Sequence, residues 1–382
     1  MNIIDTMKIL QISRQFFPST GGIENVMYCL SRALQQKGYC SDTVTLRSIF
    51  NTGEIADAES FVDGLKVYRL PHIGIKRYPI APEVISFVSS YDILHIHAID
   101  FFIDFLSLTR PFHHKPVIVN THGGIFHTQW LVYLKQFYFR IFTRLSLRGT
   151  DAIICVSKQD YDLFRTIAPE HKLHIVSNGV NVEPFLTINK QIVPGLLVGI
   201  GRIVKHKCIE RLISFLPILA KDFPKVHLIW VGNDPEKRIP QLLAYAQQLG
   251  VESRVNFVGQ IPDQKVQDLL SQAHLFVSTA EYEGFGLSTI EAMSSATVPV
   301  VTPVGVHPEV VREGKTGFIY GFEEQQALEC FRYVLSLDEN QINQIGNNAR
   351  ETAKQYSWSR VVNSYLAIYE SVLSKKLSKS TA

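Results

Sequence analysis

Three stretches of this chain set charged side chains and glycines together in patterns suited to anions and sugar hydroxyls. The richest is Glu281-Tyr282-Glu283-Gly284-Phe285-Gly286-Leu287-Ser288-Thr289-Ile290-Glu291. A β-rich run ends near Ser278, a glycine loop follows, and a helical pattern begins near Leu287. Glu283 then falls in the loop and Glu291 one turn into the helix. The backbone N–H groups of Phe285 to Ser288 would point at a phosphate or hydroxyl from the helix N-terminus. Carboxylates are good acceptors for sugar hydroxyls. The alternative is a capped helix with two exposed acids, and the two glycines flanking Phe285 weaken it.

The second stretch is Gly199-Ile200-Gly201-Arg202-Ile203-Val204-Lys205-His206-Lys207. It is neither a dinucleotide fingerprint, because Val204 stands where a third glycine is needed, nor a P-loop. Arg202 and Lys207 follow a strand and could neutralise a diphosphate, one through a fork and one as a point charge. The alternative is two solvated cations on a loop. The third stretch is Arg14-Gln15-Phe16-Phe17-Pro18-Ser19-Thr20-Gly21-Gly22-Ile23-Glu24. Gly21 and Gly22 before a helix let backbone amides approach an anion, or else make only a tight strand-to-helix turn.

Histidines end two further strands. His95 and His97 close one run, with Asp100 just beyond. His122 closes the next, in Asn120-Thr121-His122-Gly123-Gly124-Ile125-Phe126-His127. His95 reads equally well as a core or rim residue, whereas His122 sits where a ligand cleft would be. A Ser-His-Asp hydrolase has no support, since no G-x-S-x-G elbow occurs. Asp160-Tyr161-Asp162 reads as the acidic first turn of a helix, and no metal site is expected there.

The elements that must position these residues alternate along nearly the whole chain. Buried strands are expected at Lys8–Ser13, Thr43–Leu46, Val67–Leu70, Ile93–His97, Val117–Asn120 and Ile153–Ser157. After a restart near residue 195 they recur at Leu197–Arg202, His227–Gly232, Val255–Val258, Leu275–Ser278 and Val298–Thr302. Helical patterns such as Ile23–Lys37, Thr128–Leu147, Ile209–Lys221 and Ser288–Ser295 lie between. This alternation predicts α/β architecture with two doubly wound parallel sheets. The polar stretch Asn181–Pro194 is the expected linker. Domains are expected over 1–188 and 195–358, with 359–382 a C-terminal helix and tail returning to the first domain. Ligands of such sheets bind beyond the carboxyl ends of the strands, which is where the chemistry-bearing residues fall.

Composition agrees and excludes much. The chain has 382 residues, 46% hydrophobic and 19% charged, which is globular and too long for one ordinary core. A net charge of +3 is too balanced for a nucleic-acid binder. Cys29, Cys40, Cys155, Cys208 and Cys330 are odd in number, without a CxxC pair, so neither a disulfide framework nor a zinc site fits. No run reaches membrane-span length, and Met1–Asp5 lacks signal-peptide character, so a cytoplasmic protein is expected.

In order, these elements resemble the retaining glycosyltransferase family 4, from Met7 to about Leu373. The family has the GT-B fold, in which two Rossmann-like domains face each other across a cleft and a C-terminal helix crosses back. Glu283 and Glu291 match its E-x(7)-E motif, Arg202 and Lys207 its basic pair, and Gly21-Gly22 its N-terminal glycine loop. Ser177-Asn178-Gly179-Val180 resembles the close of its first domain, and Ser357-Trp358 the entry to its returning helix. The resemblance implies that Arg202 and Lys207 stabilise a departing nucleotide diphosphate. Glu283 with Gly284, Phe285, Gly286 and Leu287 would hold the donor sugar and its phosphate. Glu291 would accept from ribose hydroxyls, His122 would sit near the transferred sugar, and the Gly21-Gly22 backbone would touch the diphosphate or sugar. No cofactor or metal is implied. Two positions depart from the family: Cys208 and Val306 stand where glycine is frequent.

At finer grain the chain resembles the mannosyltransferases of xanthan- and acetan-type polysaccharide assembly, which use GDP-mannose and a lipid-diphosphate-linked sugar. Arg14-Gln15-Phe16, Arg77-Tyr78-Pro79, the run His95 to Phe102, and Thr121 to Gly124 carry this likeness. It implies acceptor contacts from Arg14, Tyr78, Asp100 and His127. The rival functions are an epimerase or phosphorylase of the same fold, or a non-catalytic sugar-binding subunit.

The charge surplus is local. Residues 1–190 hold 19 Lys+Arg against 16 Asp+Glu, and residues 105–150 hold no acid at all. On a helix Arg140, Arg144 and Arg148 form a basic stripe beside Trp130, Leu134, Phe137, Ile141 and Leu145. That predicts contact with an anionic membrane, the alternative being a buried helix with one solvated basic edge.

Overall fold

The apolar runs of the first half become parallel strands. The computed structural model describes residues 7–19, 21–122 and 136–380. The chain divides into an N-terminal unit of Met1–Gly179 with Trp358–Ala382, and a C-terminal unit of Val180–Ser357.

The described N-terminal unit carries β1 (Lys8–Ile12), β2 (Cys40–Leu46), β3 (Glu59–Val62), β4 (Leu65–Leu70), β5 (Ile73–Ile75), β6 (Tyr78–Ile80), β7 (Ile93–His97), β8 (Val117–Asn120), β9 (Ala152–Cys155) and β10 (Leu173–Ile175). Eight of these form one sheet in the order β10-β9-β8-β7-β1-β2-β4-β3, and β5 pairs with β6 as a separate hairpin. The sheet is parallel except at β3. Its central strands are buried on both faces, which is why they read as continuous apolar runs. Leu10 and Ile12 join the core on one face, and Ile9 the core on the other. Strand order reverses beside β1, so the loops after β1 and β7 open at the switch point of the sheet.

The helix Trp358–Ser380 closes this unit. Its Trp358, Val362, Tyr365 and Tyr369 pack with Ile9, Ile93 and Ile118 in one core. Gly179 makes this possible: a Cβ there would lie 2.3 Å from the Trp358 ring.

The C-terminal unit holds β11 (Leu196–Ile200), β12 (His227–Val231), β13 (Val255–Gly259), β14 (Leu275–Ser278), β15 (Val298–Val301) and β16 (Phe318–Ile319). They form a parallel sheet in the order β13-β12-β11-β14-β15-β16. The order reverses between β11 and β14. The Arg202–Lys207 loop follows the first of these strands and the Glu281–Gly286 loop the second.

The stretch expected as a linker is tied into this unit. Lys190 Nζ donates to Leu270 O at 2.6 Å, Ala273 O at 2.8 Å and Thr297 Oγ1 at 3.0 Å. Those acceptors satisfy a half-buried ammonium and fasten the backbone around it. The expected helix Thr128–Leu147 lies partly outside the described residues. From 136 it is helical, with a π stretch at Phe139–Thr143 before Arg144–Arg148. The alternative of a buried helix does not hold for the described part, because Phe137, Ile141 and Leu145 are exposed. Arg140, Arg144 and Arg148 are exposed as well.

Candidate active site

In the C-terminal unit the two expected loops meet. Lys207 Nζ forms a short ion pair with Glu283 Oε1, and Lys207 is buried. The lysine loop is pinned from below by Thr279, whose Oγ1 donates to Lys207 O at 2.8 Å. Glu281 N donates to His206 O at 2.9 Å, which ties the acidic loop to the basic one. Glycines permit the close approach of β11 and β12: a Cβ on Gly232 would lie 2.0 Å from Gly201 O. Arg202 is exposed on the same loop.

The helix Leu287–Ser294 begins at Gly286, whose φ of 110° is left-handed, and no side chain caps it. Its first amides are therefore open to a ligand. Gly286 rests on His307, with an added Cβ only 3.2 Å from His307 Nε2. His307 Nδ1 lies 2.7 Å from Thr302 O, so it donates there, and Nε2 accepts from Thr289 Oγ1 at 2.8 Å. This buried histidine props the glycine loop, and nothing in the sequence pattern singled it out. Glu291 is half-buried one turn into the helix. Burial, reinforced by Asp263, pushes its carboxyl up to about 7.

In the N-terminal unit Gly21 is the N-cap of Gly22–Gln36, and a Cβ on it would meet the Glu24 carboxylate at 2.4 Å. His122 follows β8 with a left-handed φ of 51°, and Ala98 follows β7 with φ 89°. Such backbone in a non-glycine residue costs about 1 kcal/mol and is worth noticing at a strand end. His97 Nδ1 lies 2.9 Å from His122 Nε2. Burial holds both imidazoles, and that of His95, well below their ordinary value.

Three expected acceptor residues converge on the β5–β6 hairpin and the helix that follows β7. Asp100 caps the helix Phe101–Leu108 by accepting from Phe102 N at 2.9 Å, and it pairs with Arg14 Nε at 3.1 Å. Burial raises the Asp100 carboxyl to about 6, against the opposing pull of Arg14. Arg14 Nη1 donates to Arg77 O at 3.2 Å, which brings in the β5–β6 hairpin. Tyr78 OH donates to Asp104 at 2.7 Å. Tyr138 and Ser146 donate to Asp104 as well, so one carboxylate ties the hairpin to the basic helical segment. Asp104 was not anticipated from sequence. The fourth expected residue, His127, lies outside the described residues.

Both clusters lie at the carboxyl ends of a parallel sheet, and the chain that carries them has clear relatives. Residues 20–184 match the model for Glycosyltransferase Family 4, and residues 190–352 match that for Glycosyl transferases group 1. The GDP-mannose:cellobiosyl-diphosphopolyprenol alpha-mannosyltransferase of Komagataeibacter xylinus is 32% identical over 98% of this chain and 95% of its own. The chain belongs to glycosyltransferase family 4. The Xanthomonas campestris protein of the same name is also 32% identical, over 96% of this chain and 97% of its own. Among solved structures, sucrose-phosphate synthase from Thermosynechococcus elongatus superposes with a TM-score of 0.76 at 20% identity, covering 97% of this chain and 100% of that one. A glycosyltransferase from Rickettsia africae gives 0.75 at 17%, over 97% and 99%. The fold is GT-B, built from two Rossmann-like domains.

The two departures of this glycosyltransferase from its family now have physical reasons. Cys208 has φ 49°, the left-handed conformation that glycine adopts without cost. Here a small thiol is tolerated at that position. Gly305 has φ 59°, and a Cβ would sit 2.8 Å from Glu283 Cβ, so this glycine is required. Val306 has an ordinary backbone and is buried, so it needs no glycine. The Asp160 and Asp162 carboxylates are engaged separately. Asp160 accepts from Thr121 and from Val156 N, while Asp162 pairs with Lys158.

Proposed function

We propose that this glycosyltransferase moves mannose from GDP-mannose, with retention, to a saccharide carried on a lipid diphosphate. The observation that carries the reading is full-length similarity, at 32% identity, to relatives named for that donor and for cellobiosyl-diphosphopolyprenol. The C-terminal unit holds the nucleotide sugar. Arg202 and Lys207 face the diphosphate, the open amides after Gly286 hold phosphate, Glu283 holds the sugar, and the Glu291 carboxylate accepts from ribose hydroxyls. As the bond from the anomeric carbon to phosphate breaks, negative charge grows on the diphosphate. Preorganised cations are worth most at that moment. The acceptor hydroxyl bonds to the anomeric carbon on the face that phosphate leaves, and its proton passes to the departing phosphate oxygen. No divalent metal takes part in this scheme.

The N-terminal unit holds the acceptor through Arg14, Tyr78 and Asp100. The exposed arginines and apolar side chains of residues 137–148 support docking at the anionic cytoplasmic face of a membrane, where a lipid-linked acceptor resides. No described helix is long and apolar enough to cross a membrane.

Incubation with polyprenyl-diphosphate cellobiose and a panel of GDP-, UDP- and ADP-sugars tests the reading. The expected product is an α-mannosyl trisaccharide lipid formed from GDP-mannose, with activity unchanged in EDTA. Transfer from another donor only would overturn the donor, and loss of activity in chelator would overturn the metal-free scheme.

A further inference from the structure

Behind His122 lies a buried polar chain that the scheme above does not use. Ser41 Oγ donates to Ser31 Oγ at 3.2 Å, which leaves the Ser41 oxygen to accept from Gln11 Nε2 at 3.4 Å. The other end of that amide is thereby set, and Gln11 Oε1 faces His97 Nε2 at 2.7 Å. An amide oxygen can only accept, so His97 carries its proton on Nε2. His97 Nδ1 is then a lone pair, and it faces His122 Nε2 at 2.9 Å. Two lone pairs at that distance would repel, so the proton between them sits on His122 Nε2. His122 Nδ1 is left as an acceptor with no proton to give.

The surroundings hold this order in place. Gln11, His95 and His97 are fully buried. The His95 ring is tilted 41° against that of His97 with centroids 4.3 Å apart, and Tyr369 OH of the C-terminal helix meets His95 Nδ1 at 2.8 Å. The left-handed backbone at His122 sets where its ring begins. Burial keeps the three imidazoles neutral near pH 7, so each carries one ring proton.

We propose that Gln11 and His97 are positioning residues that lock His122 in its Nε2–H tautomer, so that its Nδ1 accepts a hydrogen bond from a hydroxyl of the sugar substrate. This rests on the transferase reading of the site. The lock gives the site a fixed polarity: a hydroxyl that must donate is welcomed, and one that must accept is refused. Such a site discriminates because the mismatched group is left unpaired.

The test uses the full chain labelled with ¹⁵N-histidine, without substrate. Long-range ¹H–¹⁵N spectra near pH 7.5 report which ring nitrogen carries each proton. The expected spectrum has His122 protonated on Nε2 and bare at Nδ1. A proton on His122 Nδ1 overturns the proposal, whatever the enzyme's activity. Two substitutions separate the lock from simple packing. His97→Asn keeps an acceptor oxygen near the place of Nδ1, and His97→Leu removes it. His97→Asn is expected to keep the His122 tautomer and kcat within about threefold. His97→Leu is expected to give mixed tautomers and lower kcat by about tenfold or more, with donor KM nearly unchanged. Equal kcat losses in both variants, with the His122 tautomer unmoved, also overturn it. Failure of the site reading looks different: the native enzyme would transfer sugar from no GDP-, UDP- or ADP-sugar, and the tautomer spectrum would be untouched.

Discussion

Arg202 and Lys207 carry the same charge in different surroundings. Lys207 is buried and already neutralised by Glu283, so removing it leaves an unpaired acid and threatens the loop itself. Arg202 is exposed, and its loss leaves the fold alone. Arg202→Ala is therefore the cleaner probe of charge stabilisation. Turnover should fall by about 10²–10³-fold with an unchanged melting temperature, as read by initial rates and thermal unfolding. Full turnover in that variant would remove Arg202 from the reaction. Glu291 makes a second prediction through pH. Its folded carboxyl titrates near 7, above its ordinary 4.5, so the folded state binds the proton more tightly than the unfolded one. Stability from this group is present at low pH and declines as pH rises from about 4.5 to about 7. Glu291→Gln should thus gain in melting temperature relative to the native chain across that window and hold the gain above it. The same variant should bind GDP-mannose more weakly. A melting difference that does not change with pH would contradict a raised carboxyl.

At the scale of elements, the long apolar strands and the glycine loops were legible because their signals are strong and local. β1, β7, β8, β11, β14 and β15 are buried on both faces and bounded by loops, and their positions follow from the run alone. The short edge strands β3, β10 and β16 and the β5–β6 hairpin escaped, since two to four residues of pairing leave little periodicity. The helix Phe101–Leu108 escaped for another reason: its residues are mostly apolar, which hides the amphipathic pattern. The site was legible where glycine marks it, at Gly284-Phe285-Gly286 and Gly201-Arg202. It was not legible where support comes from inside a strand or a distant loop, as at Gln11 and His307. Gly179 shows how much one such position can carry. Its missing Cβ lets the Trp358 ring seat the C-terminal helix on the core of its own unit. Gly179→Ala should therefore lower stability by about 1–3 kcal/mol, through overpacking. It should also speed amide exchange in Trp358–Ser380 before the rest of that unit. Uniform exchange across the unit would mean that the glycine does not govern the helix.

For the whole molecule, a near-neutral total conceals a surface of one character. Phe137 is 54% exposed, Phe142 50% and Leu145 54%, on the same short segment as exposed Arg140, Arg144 and Arg148. Water contact with so many large apolar groups is costly, and a soluble partner has no need of three arginines beside them. An anionic bilayer would satisfy both: the apolar groups would enter the headgroup boundary and the guanidiniums would meet lipid phosphates. Tyr138 and Ser146 fix this segment to Asp104, and Tyr78 of the proposed acceptor cluster joins the same carboxylate. A docked segment would hold the acceptor cluster close to the bilayer, where a lipid-linked sugar is found. Each arginine near such a surface contributes about 1 kcal/mol, so reversing all three should weaken binding to phosphatidylglycerol vesicles by more than about 100-fold. Binding to neutral phosphatidylcholine vesicles should be weak in both proteins, and added salt should erase most of the difference. Turnover on a short-chain, water-soluble acceptor should stay close to native, since no arginine of the three belongs to either site. Native-like binding of the triple variant to anionic vesicles would show that this surface does not meet the membrane.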